Sequence, residues 1–262
     1  MTVREEIENI YAKIRHDLSH PYVNKYLPFP EIDKDKLLVY YYLFQKRSED
    51  GGTGVYVESL MAAEIGLTAH ESMTTERLNG KNEIKIRQLT ALSGDFYSAL
   101  YYYYLSRKPD IEVVKWIAEA IQTFNVNKCL LFYPNHTLNW TQAVTALESI
   151  ESALVAKIAA KLGFEDWVPS LNAFFLTKKL VYEYELQTNG GSHSFLCNYL
   201  IDSLPHASVP FRERLEEEIK HAKERFFDSI KKVEKNSGVL SRLLPYLTEK
   251  MNAFCRFTVE EG

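Results

Sequence analysis

The sequence predicts an all-α fold, a single bundle of about ten helices resembling one domain over residues 1–262. Apolar residues recur every three or four positions in nearly every segment. No alternating strand pattern, fixed-period repeat or low-complexity tract breaks that rhythm. With 11 Gly and 9 Pro against 46% apolar and 13% aromatic residues, turn-formers are too few for a β-sandwich. The aromatic content also excludes a disordered polymer.

Each helix follows from its local pattern. Val3, Ile7, Ile10, Ile14 and Leu18 line one face of a first helix that ends near His20-Pro21, because proline disfavours helix in the residue before it. The Pro28-Phe29-Pro30 turn leads to Asp33, a cap for a helix through Leu37, Tyr41 and Phe44. Ser48 to Gly54 is a loop. A third helix runs from Val55 to Thr75 and is broken at Asn79-Gly80; a fourth covers Ile84 to Ser106. Pro109-Asp110 opens a fifth, carrying Val113, Ile117, Ile121 and Phe124. Leu138 to Leu162 carries one apolar stripe closed by Gly163 at a C-cap. Asp166 to Leu186 stops at Asn189-Gly190-Gly191, and a shorter apolar segment spans Phe195 to Leu204. Pro210 suits the first turn of a charged helix from Phe211 to Lys235, and Pro245 is expected to kink the last helix.

The net charge of −4 gives no reason to seek nucleic acid. Cys129, Cys197 and Cys255 lie far apart with no CxxC, which suits a reducing, cytoplasmic setting. The charged N-terminus lacks the apolar core of a signal peptide, and no run approaches the roughly 20 apolar residues of a membrane span.

The informative stretch runs from Leu67 to Leu105. It contains His70-Glu71-Ser72-Met73-Thr74-Thr75 and, further on, Leu92-Ser93-Gly94-Asp95-Phe96. It resembles the trans-prenyl diphosphate synthases, in which one helix carries His-Asp-Asp-x-x-Asp, an Arg-Arg-Gly loop follows, and the next helix carries Leu-x-Gly-Asp-Tyr-Leu. Through Ser19-His20-Pro21-Tyr22 and Asp33-Lys34-Asp35-Lys36-Leu37-Leu38 the likeness narrows. It points to the small, component-one subunits of two-component heptaprenyl diphosphate synthases of Gram-positive bacteria. The resemblance covers most of the chain and is weakest in the C-terminal third.

Aspartates at i and i+4 point from one helix face, so they can share magnesium ions with an allylic diphosphate. The ions neutralise the leaving pyrophosphate as the carbon–oxygen bond breaks. Here the three aspartate positions hold Glu71, Ser72 and Thr75, and hydroxyls are poor ligands for a hard cation. Glu76, the next acid, lies about 140° round the helix from Glu71. His70 and Gly94 are 24 positions apart, shorter than the catalytic pattern, and neither Arg77 nor Lys81 falls in register with its paired arginines. The region of the second aspartate motif, Phe195 to Asp202, holds a lone aspartate.

The resemblance therefore implies a regulatory or structural subunit with no catalytic residue and no metal site of its own. It implies a catalytic aspartate-motif partner that holds Mg2+ and adds isopentenyl diphosphate to farnesyl diphosphate. The product would be the polyprenyl side-chain precursor of menaquinone. Rival readings are an autonomous terpenoid synthase with a rearranged metal site around Glu71, Glu76 and Asp95, and a helical adaptor unrelated to isoprenoids.

His70, Gly94 and Asp95 read as packing residues of the motif. Gly66, five before Glu71, either packs or lines the product tunnel. Four consecutive tyrosines on a helix cover all its sides, so some must meet a partner or solvent. In the fold implied by the resemblance this helix forms the dimer seam, so Tyr97, Tyr101 and Tyr104 are expected to face a second subunit. His16-xxx-His20 and Glu218-xx-His221 have metal-like spacing but lack the remaining ligands, and the run from Arg212 to Lys235 reads as a solvated face.

Overall fold

Ten α-helices form among the residues that the computed structural model describes, which are 2–45, 47, 52–71, 80–132, 138–188, 210–233 and 238–254. They are α1 (Val3–Asp17), α2 (Pro21–Asn24), α3 (Lys34–Phe44), α4 (Thr53–Glu71), α5 (Lys81–Arg107), α6 (Ile111–Phe132), α7 (Trp140–Lys161), α8 (Val168–Thr188), α9 (Phe211–Val233) and α10 (Leu244–Phe254). Turns of 3-10 helix occupy Glu165–Trp167 and Val239–Leu243, and no strand occurs among the described residues.

Side chains close the helix ends. Thr2 and Glu5 exchange hydrogen bonds across the start of α1, and Asn139 and Gln142 do the same for α7. The Asp33 carboxylate accepts from the N–H groups of Asp35 and Lys36, as expected of a cap. Gly163 adopts φ 81°, and the Phe164 N–H reaches back to the Ala159 carbonyl at 2.9 Å. This left-handed cap is the one position among the described residues where a positive φ requires glycine.

The first helix ends near His20-Pro21, as expected. α1 stops at Asp17, and Pro21 starts the single-turn α2, where its missing N–H costs nothing. The kink expected at Pro245 is corrected: Pro245 is the second residue of α10, which follows directly on the 3-10 turn, so it lies in a first turn where its missing N–H breaks no helical bond. The apolar segment Phe195 to Leu204 lies outside the described residues, as do 48–51 of the first loop.

The chain packs as two compact units, Met1–Ala118 and Glu119–Gly262, divided within α6. In the first unit α4 is the centre. Every residue from Tyr56 to Leu67 is buried, with α1, α3 and α5 around it. A helix buried on all sides must satisfy its polar groups inside the protein. Glu64 accepts from Lys36 Nζ at 2.7 Å and from the Tyr40 phenol at 2.5 Å, both on α3. Glu58 pairs with Lys13 of α1, although burial still pushes its carboxyl above the ordinary range. Asp110, at the head of α6, takes hydrogen bonds from Tyr56, Arg47 and the Val113 N–H, and together they outweigh burial and lower its pKa.

In the second unit α8 is central, packed by α7, α9 and α10. Phe174 meets Phe175, Phe226 and Phe254 at ring distances of 5.2, 6.0 and 5.5 Å. α9 buries Leu215, Ile219, Ala222, Phe226, Ile230 and Val233 at helical spacing. Its other face is charged, with Arg225 forked onto Glu148 of α7. No helix among the described residues is long and apolar enough to cross a membrane.

Removing one member of a buried pair leaves an uncompensated charge, so Glu64→Ala should cost about 3–5 kcal/mol in urea unfolding. Adding Lys36→Met should restore part of that loss, because the ammonium that has lost its Glu64 partner is then gone. Equal stability of Glu64→Ala and the wild type would show that this pair does not hold α3 to α4.

Candidate functional site

The motif stretch falls where the last turns of α4 cross α5. α4 ends at Glu71; Ser72 and Thr75, like Glu76 and Arg77, lie outside the described residues, as does the segment from Phe195 to Asp202. The described part is a contact between helix backbones. A Cβ on Gly66 would stand 2.9 Å from the Ser98 backbone nitrogen, and one on Gly94 would stand 2.8 Å from the His70 ring. Two small residues, one on each helix, thus let α4 and α5 approach closely.

At Gly66, Ser98 of α5 occupies the space that a side chain would take. At Gly94 the His70 imidazole lies against the glycine. His70 Nε2 also stands 3.3 Å from Asp95 Oδ1, and that aspartate is otherwise largely exposed.

The tyrosine expectation is corrected. Tyr97, Tyr101 and Tyr104 are buried within the chain, at 4%, 4% and 1% exposure. The reason is helical phase. The face of α5 that meets α4 must be the one bearing Gly94, and residues three, seven and ten positions later return to that side. Burial pushes up the pKa of all three phenols, and Tyr104 further donates to Asp17 of α1 at 2.8 Å.

The opposite side of α5 is the surface that sequence reasoning missed. Leu92, Phe96 and Tyr103 are exposed at 63%, 44% and 51%, with Ala99 exposed between them. Spacings of four, three and four place them on one stripe. The sequence alone does not mark this stripe as outer, because the phase of α5 is set by the contact of Gly94 with His70 on α4.

Charge at the site is sparse. The two described carboxylates in the interior stretch of α4, Glu58 and Glu64, are six residues apart and committed to lysines of different helices. They cannot share an ion as an i, i+4 pair does. Among the described residues no group of three or more His, Cys, Asp or Glu side chains could hold a metal. His16 is paired with Asp17, and Glu218 accepts from Trp140 Nε1 at 2.7 Å.

Gly66→Ala should lower stability by about 1–3 kcal/mol, since its methyl meets backbone that cannot yield cheaply. Gly94→Ala should cost less, because the His70 ring can turn aside. Thermal melts of both variants check the order, and a neutral Gly66→Ala would overturn the close-approach argument.

Comparison with known proteins agrees with this architecture. Residues 20–232 match the family model described as heptaprenyl diphosphate synthase (HEPPP synthase) subunit 1. The heptaprenyl diphosphate synthase component 1 of Geobacillus stearothermophilus is 26% identical over 210 residues, covering 78% of this chain and 92% of that protein. Among solved structures, geranyltransferase from Helicobacter pylori superposes with a TM-score of 0.61 at 14% identity, covering 94% of this chain and 97% of that one. The same enzyme complexed with magnesium and isoprenyl diphosphate gives 0.63 at 14% identity, over 94% and 96%. The structural likeness shows the isoprenyl synthase fold. With a family match over most of its length, the chain belongs to the heptaprenyl diphosphate synthase subunit 1 family.

Proposed function

We propose that this chain is the non-catalytic subunit of a two-component heptaprenyl diphosphate synthase. The observation that carries the reading is the fate of the acids along α4. Its interior carboxylates are neutralised one by one by lysines of α1 and α3, and the aspartate positions that follow hold Glu71, Ser72 and Thr75. A hard divalent ion needs several clustered oxygens, and this helix does not supply them.

The chemistry then belongs to a second component with intact aspartate motifs. That partner holds Mg2+ and condenses farnesyl with isopentenyl diphosphate, and its product becomes the side-chain precursor of menaquinone in the cytoplasm. This chain regulates and completes that partner by presenting the outer stripe of α5. Leu92, Phe96, Ala99 and Tyr103 form an apolar face that a partner helix can cover, with the tyrosine supplying an apolar ring and a polar tip. The close approach at Gly66 supports placing the growing isoprenoid in the partner rather than between α4 and α5.

The purified chain given farnesyl diphosphate, isopentenyl diphosphate and Mg2+ should form no product, and adding the second component should restore turnover. Product from the chain alone would favour the rival of an autonomous terpenoid synthase. Phe96→Glu, a surface change that leaves the fold intact, should weaken pairing by at least about 30-fold, as loss of an interface anchor does. Unchanged pairing would move the interface to another face.

A further inference from the structure

The family match begins at residue 20, so α1 lies wholly before it, yet α1 is tied into the centre of the first unit. Ile10 and Ile14, with Leu18 just after the helix, are buried. Three polar ties accompany them, each to a different helix. Glu6 accepts from the Tyr41 phenol of α3 at 2.6 Å, Lys13 pairs with Glu58 of α4, and Asp17 accepts from the Tyr104 phenol of α5 at 2.8 Å. Lys13 also stands 4.9 Å from the centre of the Tyr104 ring.

The last tie has a geometric consequence. Tyr104 is on the inner side of α5, and Tyr103, its neighbour in the chain, ends the exposed stripe on the outer side. Holding the Tyr104 ring and hydroxyl therefore resists rotation of the C-terminal half of α5 about its own axis, in addition to its packing on α4. Tyr97 and Tyr101 follow the same inner line, so Asp17 and Lys13 act at one end of a continuous row.

We propose that α1 is a clasp that sets the rotation of α5 through Asp17 and Tyr104, and so controls how the outer stripe is presented to the partner. The inference rests on the docking surface proposed above, but the clasp itself can be tested without a partner. Asp17 and Tyr104 are positioning residues: neither lies on the stripe, and both act through the helix that carries it.

The test uses the full chain and two nearly isosteric variants, Tyr104→Phe and Asp17→Asn, with Tyr41→Phe as control. The control releases α1 from α3 and leaves its tie to α5. Circular dichroism should give equal helix content for all four proteins. Hydrogen exchange read by mass spectrometry should accelerate about tenfold in peptides from 93–107 for Tyr104→Phe, the size of losing a hydrogen bond to a charged group, by a smaller factor for Asp17→Asn, whose amide oxygen still accepts from the phenol, and not for Tyr41→Phe. Affinity for the second component should fall in the same two variants and in the same order.

Unchanged exchange in 93–107, or equal acceleration in Tyr41→Phe, overturns the clasp. Accelerated exchange with undiminished affinity overturns the control of presentation. If the wild type does not bind the second component at all while 93–107 still responds, the docking reading fails and the clasp stands.

Discussion

Burying a carboxylate on a helix that has no solvent face obliges the rest of the protein to bring it a cation, and the first unit is arranged around that obligation. α4 passes through the interior from Tyr56 to Leu67 with Glu58 and Glu64 on different sides. Each recruits one lysine, and Glu64 adds a phenol, so α1 and α3 are drawn to defined places against it. Each pair fixes one point of contact between α4 and a neighbouring helix.

The same bookkeeping bears on catalysis. In a chain able to ionise an allylic diphosphate, acids must remain unneutralised until metal arrives, so they belong at a cavity and not beside lysines. Here the described acids of the interior stretch are already compensated, and the aspartate positions of the motif have become a glutamate and two hydroxyls. On the proposed reading both facts suit a fold kept for its shape, and the outer stripe of α5 is the surface through which it would act.

Much of this was legible before any coordinates. The all-α class, most helix starts, the Asp33 cap and the Gly163 cap follow from spacing and local hydrogen bonding, which are short-range effects. Phase was harder. In Tyr101-Tyr102-Tyr103-Tyr104 every position carries the same side chain, so periodicity alone cannot say which side is inside. The answer came from Gly94, whose partner His70 is 24 positions away in the sequence. Pro245 misled for a similar reason: a proline tolerated in a first turn looks, in sequence, like one that breaks a helix. The site was legible as a loss of ligands. Its outward face was not, because a stripe exposed in one chain is written in the same residues as a core stripe.

The tyrosine-rich interior has an effect at the other end of the pH scale from the carboxylates. Tyr40, Tyr97, Tyr101 and Tyr104 all have phenols whose pKa burial raises, whereas the unfolded chain would ionise them near pH 10. Their stabilising contribution is complete below that value and is lost as the medium becomes alkaline, since the unfolded form releases these protons at a lower pH than the folded form does. The molecule therefore has a basic limit built from its own aromatic packing.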